Sequence, residues 1–329
     1  MNNEFDLLTI GDATIDVFLT PTDSDLFCNM NDKTCEVCFT YGAKIPVKNM
    51  EFSIGGNAAN NAIGVKRLGL KTAIVLSLGD DSVGKMILDR LTSEGVSTKY
   101  VNEQTGAHSN YSTIISYGGE RTIFTYHAPR VYELPQNLIQ TPWLYLTSMG
   151  EGYRPFYDQV IKWLSDKTKL AFNPGSWQLK NGLESIHDIV ARTFVLFVNR
   201  EEAQILTNSK ETQGKEKELL KALFDLGVKI PVVTDGNNGA FAFDGEKYLK
   251  VGVLPIDAYE RTGAGDAFGS GFLASYIKDN DLNKALLSGT VNSASVIGYT
   301  GSQRGLLRET EISQWLERAK SSGVNVVEF

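Results

Sequence analysis

Strand–helix alternation predicts a doubly wound, mostly parallel α/β fold with a small β-sheet lid. Three observations carry that reading. Near-continuous apolar stretches recur at 6–10, 72–78, 143–147, 170–172, 194–198 and 232–234, with helical spacing between them. Strands that lack polar alternation need cover on both faces, which is the condition of a parallel sheet. Two separated β-prone segments, roughly 17–54 and 108–127, belong to different material and are expected to converge as the lid. A glycine-rich loop, Thr262-Gly263-Ala264-Gly265-Asp266, turns into a helix and holds one carboxylate.

Taken in order, residues 6–10 read as the first buried strand, ended by Gly11-Asp12. Gly55-Gly56 opens a helix with Asn57 as N-cap. Ala58, Ala62, Val65 and Leu68 form its inner face, and Gly69 suits the C′ position. The next strand, 72–78, leads into a helix from about Ser82 to Glu94, stopped by Gly95. Tyr111–Tyr117 and Arg121–His127 flank Gly118-Gly119-Glu120, the clearest hairpin in the chain. A second hairpin, 240–243 with 247–251, precedes the glycine loop. The whole is expected to form one α/β domain over 1–329.

The chain has 329 residues, 42% hydrophobic and 22% charged, with a net charge of −7 and a pI near 5.2. Without a basic stripe, that balance argues against nucleic-acid binding. No apolar run reaches the roughly 18 residues of a membrane span, and Met1–Asp6 lacks a signal-peptide pattern. A cytoplasmic location is expected. Cys28, Cys35 and Cys38 lie within eleven positions. Cys35-x-x-Cys38 lacks nearby partners for a four-ligand metal site, so the three read as small residues of a β segment.

The chemistry concentrates at 262–272. A helix start has unpaired N–H donors and partial positive charge, a site for phosphate. An acidic residue there repels phosphate unless it has a chemical task. The economical task for Asp266 is taking a proton from a hydroxyl that attacks the phosphate. Neither G-x-G-x-x-G after the first strand nor G-x-x-x-x-G-K-[ST] is present, which argues against an NAD enzyme and a P-loop kinase.

Five segments in order resemble the ribokinase (PfkB-type) carbohydrate kinase family. They are Gly11-Asp12-Ala13-Thr14-Ile15-Asp16, Gly55-Gly56-Asn57-Ala58-Ala59-Asn60, Asn199-Arg200-Glu201-Glu202, Thr234-Asp235-Gly236-Asn237-Asn238-Gly239 and Thr262–Phe272. The resemblance implies a ribokinase-like fold and an ATP- and Mg²⁺-dependent kinase acting on a primary hydroxyl of a sugar or sugar derivative. It implies Asp266 as catalytic base and Gly263, Ala264 and Gly265 as anion hole. Asp12, Asp16, Gly55, Gly56 and Asn60 would bind substrate. Asn199 and Glu202 would organise Mg²⁺, through water. Thr234, Gly236 and Gly239 would line the nucleotide site, with Asn292 near the adenine.

Glu260-Arg261 stands where the family commonly has Asp-Thr. The family's Asp there helps bind a monovalent cation, so Glu260 is the K⁺ candidate and a K⁺ requirement stays open. Arg261 either assists at the phosphates or forms a salt bridge. A nucleoside kinase is the alternative, because ribose is common to both substrate classes. A non-catalytic sugar or nucleotide sensor is the remaining reading, and an intact Asp266 argues against it. Sheet edges seek partners, so a homodimer through the lid is expected.

Overall fold

The computed structural model describes residues 3–22, 25–29, 34–117 and 120–329, with backbone alone at 25–29, 34, 35, 117 and 120. The large sheet takes its strands from the whole chain: β1 (Leu7–Ile10), β6 (Thr72–Gly79), β7 (Ser97–Gln104), β10 (Trp143–Thr147), β11 (Lys169–Asn173), β12 (Val195–Asn199), β13 (Ile230–Thr234), β14 (Ala240–Phe243), β15 (Tyr248–Val251) and β16 (Val326–Glu328). Their order is β16-β15-β14-β13-β12-β11-β10-β1-β6-β7. The seven strands from β13 to β7 are parallel, and β14, β15 and β16 run antiparallel at one edge. The small sheet has the order β5-β2-β8-β9, from β2 (Thr14–Pro21), β5 (Val47–Gly55), β8 (Tyr111–Tyr117) and β9 (Glu120–Tyr126). A separate ladder pairs β3 (Asp25–Asn29) with β4 (Thr34–Cys38).

Period-two geometry sends successive side chains to opposite faces, and both faces of the large sheet are dry. Leu144 and Leu146 of β10 join one core with Leu170 and Phe172. Trp143 and Tyr145 join a second core on the other side, with Ala171 and Phe197. The first core is covered by α3 (Tyr153–Trp163), α4 (Ser176–Lys180), α5 (His187–Arg192), α6 (Arg200–Thr207) and α7 (Glu216–Asp225). The second is covered by α8 (Ala264–Asp279), α9 (Leu282–Val296) and α10 (Glu309–Ser321). Helices α1 (Asn57–Arg67) and α2 (Ser82–Ser93) pack with the inner end of the small sheet in a third cluster. This is the doubly wound fold that the apolar strands predict.

Two local expectations change. Asn57 is the first helical residue of α1, and Gly56 at φ 87° is the cap without a side-chain bond. The small sheet starts at Thr14, three residues earlier than the pattern suggests, because Ile15 pairs at once with Ile54 and Tyr111. The Gly118-Gly119 turn and the side chains of Cys28 and Cys35 lie outside the described residues; Cys38 is a half-buried free thiol. Among the described residues, no helix is long and apolar enough to cross a membrane, and no group of three or more His, Cys, Asp or Glu could hold a metal ion.

Candidate active site

Strand β1 has β6 on one side and β10 on the other, so the winding order reverses there, and ligands of such sheets bind outside the carboxyl ends of the strands. A line of polar residues occupies those ends. Thr147 is in register with Asn173, and Asn199 with Thr234. Asp12 follows the end of β1. Asn173 Oδ1 accepts from Asn57 Nδ2 (3.0 Å), while its Nδ2 donates to the Phe197 carbonyl (2.8 Å). Nothing in local sequence pattern singles out Asn173, because its partners are far away in the chain.

The glycine loop enters α8 as the spacing predicts. Gly263 is the N-cap at φ 78°, in the left-handed region. A Cβ there would lie 2.3 Å from Ser302 Cβ, so both conformation and space require glycine. Asp266 sits in the first turn of α8, and its carboxylate accepts from Asn60 Nδ2 at 2.8 Å. Burial is the main cause that lifts Asp266 to about 6, and the Asn60 hydrogen bond pulls it back partway. Asn60 is buried and doubly anchored: its Oδ1 accepts from Ser302 Oγ (2.9 Å) and Gln303 Nε2 (3.1 Å). The structure therefore places Asn60 as the holder of Asp266, with Ser302 and Gln303 behind it; the sequence motifs pointed to neither of those two.

Asp16 lies in β2, facing the same cleft. Burial raises it to about 6; its Ser112 hydrogen bond lowers it, and the negative charges of Glu260 and Asp266 raise it further. A Cβ on Gly55 would sit 2.1 Å from Asp16 Oδ2, so glycine makes room for that carboxylate. Asp12 is placed differently. Its Oδ2 accepts from Tyr132 Oη (2.8 Å) and the Gly150 N–H (3.0 Å), and burial raises its pKa. Its Oδ1 is buried without a partner, as are Nε and Nη1 of Arg130, a cation close enough to lower Asp12 electrostatically.

Asn199 and Glu202 cap α6 reciprocally: Asn199 Oδ1 accepts the Glu202 N–H (2.8 Å) and Glu202 Oε2 accepts the Asn199 N–H (2.9 Å). Both line a cavity of about 200 Å³ with Asn57, Asn173, Gly263, Ala264, Gly265 and Asp266. Glu202 is raised, first by burial and then by the charge of Asp266. A second cavity of about 410 Å³ adjoins it, with Thr234, Gly236 and Gly239 on one wall and Val253, Ile256, Ala294 and Ile297 on the apolar side. Arg261 and Gly265 border both cavities. Arg261 is exposed and makes no ion pair among the described residues. Buried Arg200 holds the loop by donating to Asp235 Oδ2 (2.8 Å), a role the motif did not announce.

Asn292 does not line the second cavity. It is fully buried; its Nδ2 donates to the Ala267 carbonyl (2.7 Å) and its Oδ1 accepts the Leu307 N–H (2.9 Å). It ties α9 to α8, while Thr290 and Ser293 turn towards the cavity instead.

The fold and this row of strand ends define a doubly wound α/β protein with a ligand site outside its strand ends, and the family match makes it a kinase that phosphorylates an alcohol group. It belongs to the pfkB family of carbohydrate kinases, whose family model matches residues 7–309. It is 28% identical over 314 residues to an ATP-dependent 6-phosphofructokinase of Thermoanaerobacterium thermosaccharolyticum, covering 91% of this chain and 90% of that one. It is 26% identical to a ribokinase of Haemophilus influenzae over 84% of this chain and 92% of that one. Its fold matches an Arabidopsis thaliana ribokinase solved with ribose and ATP (TM-score 0.78, 19% identity, 95% of this chain and 99% of that one). It also matches a Methanocaldococcus jannaschii nucleoside kinase (TM-score 0.76, 20% identity, 96% and 100%).

The Asn60 hydrogen bond favours the charged form of Asp266, so its loss must raise the carboxyl further. Asn60→Ala is expected to move the acid limb of the kcat/KM–pH profile to higher pH than in the wild type. Steady-state rates between pH 5 and 9 check this.

Proposed function

We propose that this kinase moves the γ-phosphoryl group of ATP, with Mg²⁺, onto a primary hydroxyl of a sugar or sugar derivative, with Asp266 as the base. The observation that carries the reading is a desolvated carboxylate with a raised pKa in the first turn of α8, directly after the Gly263 and Gly265 backbone donors, the Ala264 N–H being turned to the Arg261 carbonyl (3.3 Å). A general base works best when its pKa lies near the operating pH. At about 6, Asp266 is deprotonated at neutral pH yet more basic than an ordinary carboxylate. In-line transfer asks chiefly for positioning and charge stabilisation, which N–H groups at a helix start supply.

The residues present fit a divalent cation with phosphates. Glu202 and Asp266 share one cavity and burial raises both, so positive charge there relieves them. Glu202 and Asn199 would hold the ion, through water; its contribution is neutralising charge on the phosphates. A putative ribokinase II solved with ATP and Mg²⁺ shares the fold, which supports ATP and Mg²⁺ as the cofactors. Thr234, Gly236 and Gly239 receive the nucleotide against the apolar wall. Asp16 grips acceptor hydroxyls, while Asn60 orients the base. The small sheet serves as a lid that keeps water from the transfer.

The named relatives favour a sugar acceptor: besides the two above, they include several 5-dehydro-2-deoxygluconokinases. An ATP screen across sugars, sugar acids, sugar phosphates and nucleosides decides. With the acceptor in hand, Asp266→Asn is expected to keep its fold and nucleotide affinity and lose about 10²–10⁴-fold in kcat. Near-wild-type turnover in that variant removes Asp266 as the base.

The small sheet also supports a homodimer. The face opposite Asp16 carries Phe52 and Phe124, 51% and 59% exposed, in one row with buried Val17 and half-buried Thr113. Sedimentation of the purified chain should give twice the 36.2 kDa monomer mass, and Phe52→Asp with Phe124→Asp should return it to monomer.

A further inference from the structure

The loop that leads into α8 depends on one carboxylate. Glu260 Oε1 accepts from the Thr262 backbone N–H at 2.7 Å and from the Thr262 hydroxyl. Those bonds fix the residue that precedes Gly263, where the chain must take its left-handed turn. The backbone N–H groups of Tyr259 and Glu260 are in turn fixed by the Ile297 carbonyl. Glu260 is thus part of the frame that sets where the Gly263 and Gly265 donors point.

A third donor reaches the same oxygen from across the cleft. Arg121 Nη1 donates to Glu260 Oε1 at 2.6 Å. Arg121 sits on β9 of the small sheet. Asp16 is opposite Ser112, which is opposite Thr125, so Asp16, Thr125, Ile123 and Arg121 share the face turned to the site. The Glu260 side chain is only 12% exposed, which makes a charge-assisted bond there stronger than a surface ion pair.

The family resemblance places a monovalent cation beside this loop at position 260. The residues here do not fit one. Glu260 Oε1 is ringed by an N–H, an O–H and a guanidinium, all of them positive ends. A metal ion on the other oxygen, the buried and unpartnered Oε2, would sit against the charge of Arg121.

We infer that the Arg121 guanidinium, delivered by the small sheet, is the permanent cation of the glycine loop, and that this kinase needs no monovalent metal ion. Arg121 is then a positioning residue: it acts through Glu260 and Thr262 on the phosphate donors. The inference rests on reading Thr262–Asp266 as the phosphate loop.

Turnover is measured with choline or Tris salts of ATP and buffer, then with added KCl or guanidinium chloride at constant ionic strength. Wild type should vary less than twofold. Arg121→Ala in choline should lose about tenfold in kcat. Millimolar K⁺ or guanidinium should restore several-fold of that, because the freed Glu260 carboxylate accepts a small cation. Arg121→Ala combined with Glu260→Gln should be slow and unresponsive. Melting temperature gives a readout free of substrate: K⁺ should raise that of Arg121→Ala over choline and leave wild type unchanged. Strong K⁺ activation of wild type overturns the inference. So does a folded Arg121→Ala that is as fast as wild type in choline, or one that is slow and deaf to every cation. Failure of the phosphate-loop reading itself is seen separately, as a fully active Asp266→Asn.

Discussion

The hydrogen bond between Asn60 and Asp266 joins the first turns of two helices that are 206 residues apart in sequence. Helix α1 begins where the small sheet ends; helix α8 begins where the glycine loop ends. Their close approach depends on small residues, since a Cβ on Gly64 would meet Ser270 Oγ at 2.3 Å. Behind Asn60, Ser302 and Gln303 complete the contact, and Arg67 carries it further by donating to the Gln303 and Leu306 carbonyls. An amide with both ends occupied cannot rotate, so the carboxylate it holds has a fixed position. Loss of that position would leave a buried, half-satisfied carboxylate, a costly state in a low-dielectric cleft.

The parallel sheet supplies the rest by geometry. All seven parallel strands end on the same side, so Asp12, Thr147, Asn173, Asn199 and Thr234 form a row without needing proximity in sequence. Two adjoining cavities then open along that row. The larger is walled by apolar side chains and suits a flat ring; the smaller is lined by amides, carboxylates and backbone donors and suits phosphates. The small sheet brings Arg121 to Glu260 of the glycine loop and so adds a charge from a second element.

Much of this is legible in sequence for physical reasons. A strand buried on both faces has to be apolar throughout, so β6, β10 and β12 announce themselves. A loop that tolerates no Cβ has to keep its glycines, so Gly55, Gly56 and Gly263 mark the turns that the site uses. Asp266 stands out because a carboxylate at a phosphate cradle is electrostatically unusual. What stays hidden are single polar residues whose partners are distant. Arg121 reads as one residue of a hairpin until Glu260 appears beside it, 139 positions on. Asn173, Ser302 and Gln303 lack any periodic or motif signal. Asn292 is misplaced by sequence because α9 is buried on most of its circumference, so pattern alone cannot say which face meets the cavity.

The central claim is that desolvation, moderated by Asn60, poises Asp266 as a base. Carbon-13 carboxylate NMR of the ligand-free protein, assigned by comparison with Asp266→Asn, measures this directly. A titration midpoint near 6 is the predicted result. A midpoint at the ordinary aspartate value of 3.8 would contradict the account.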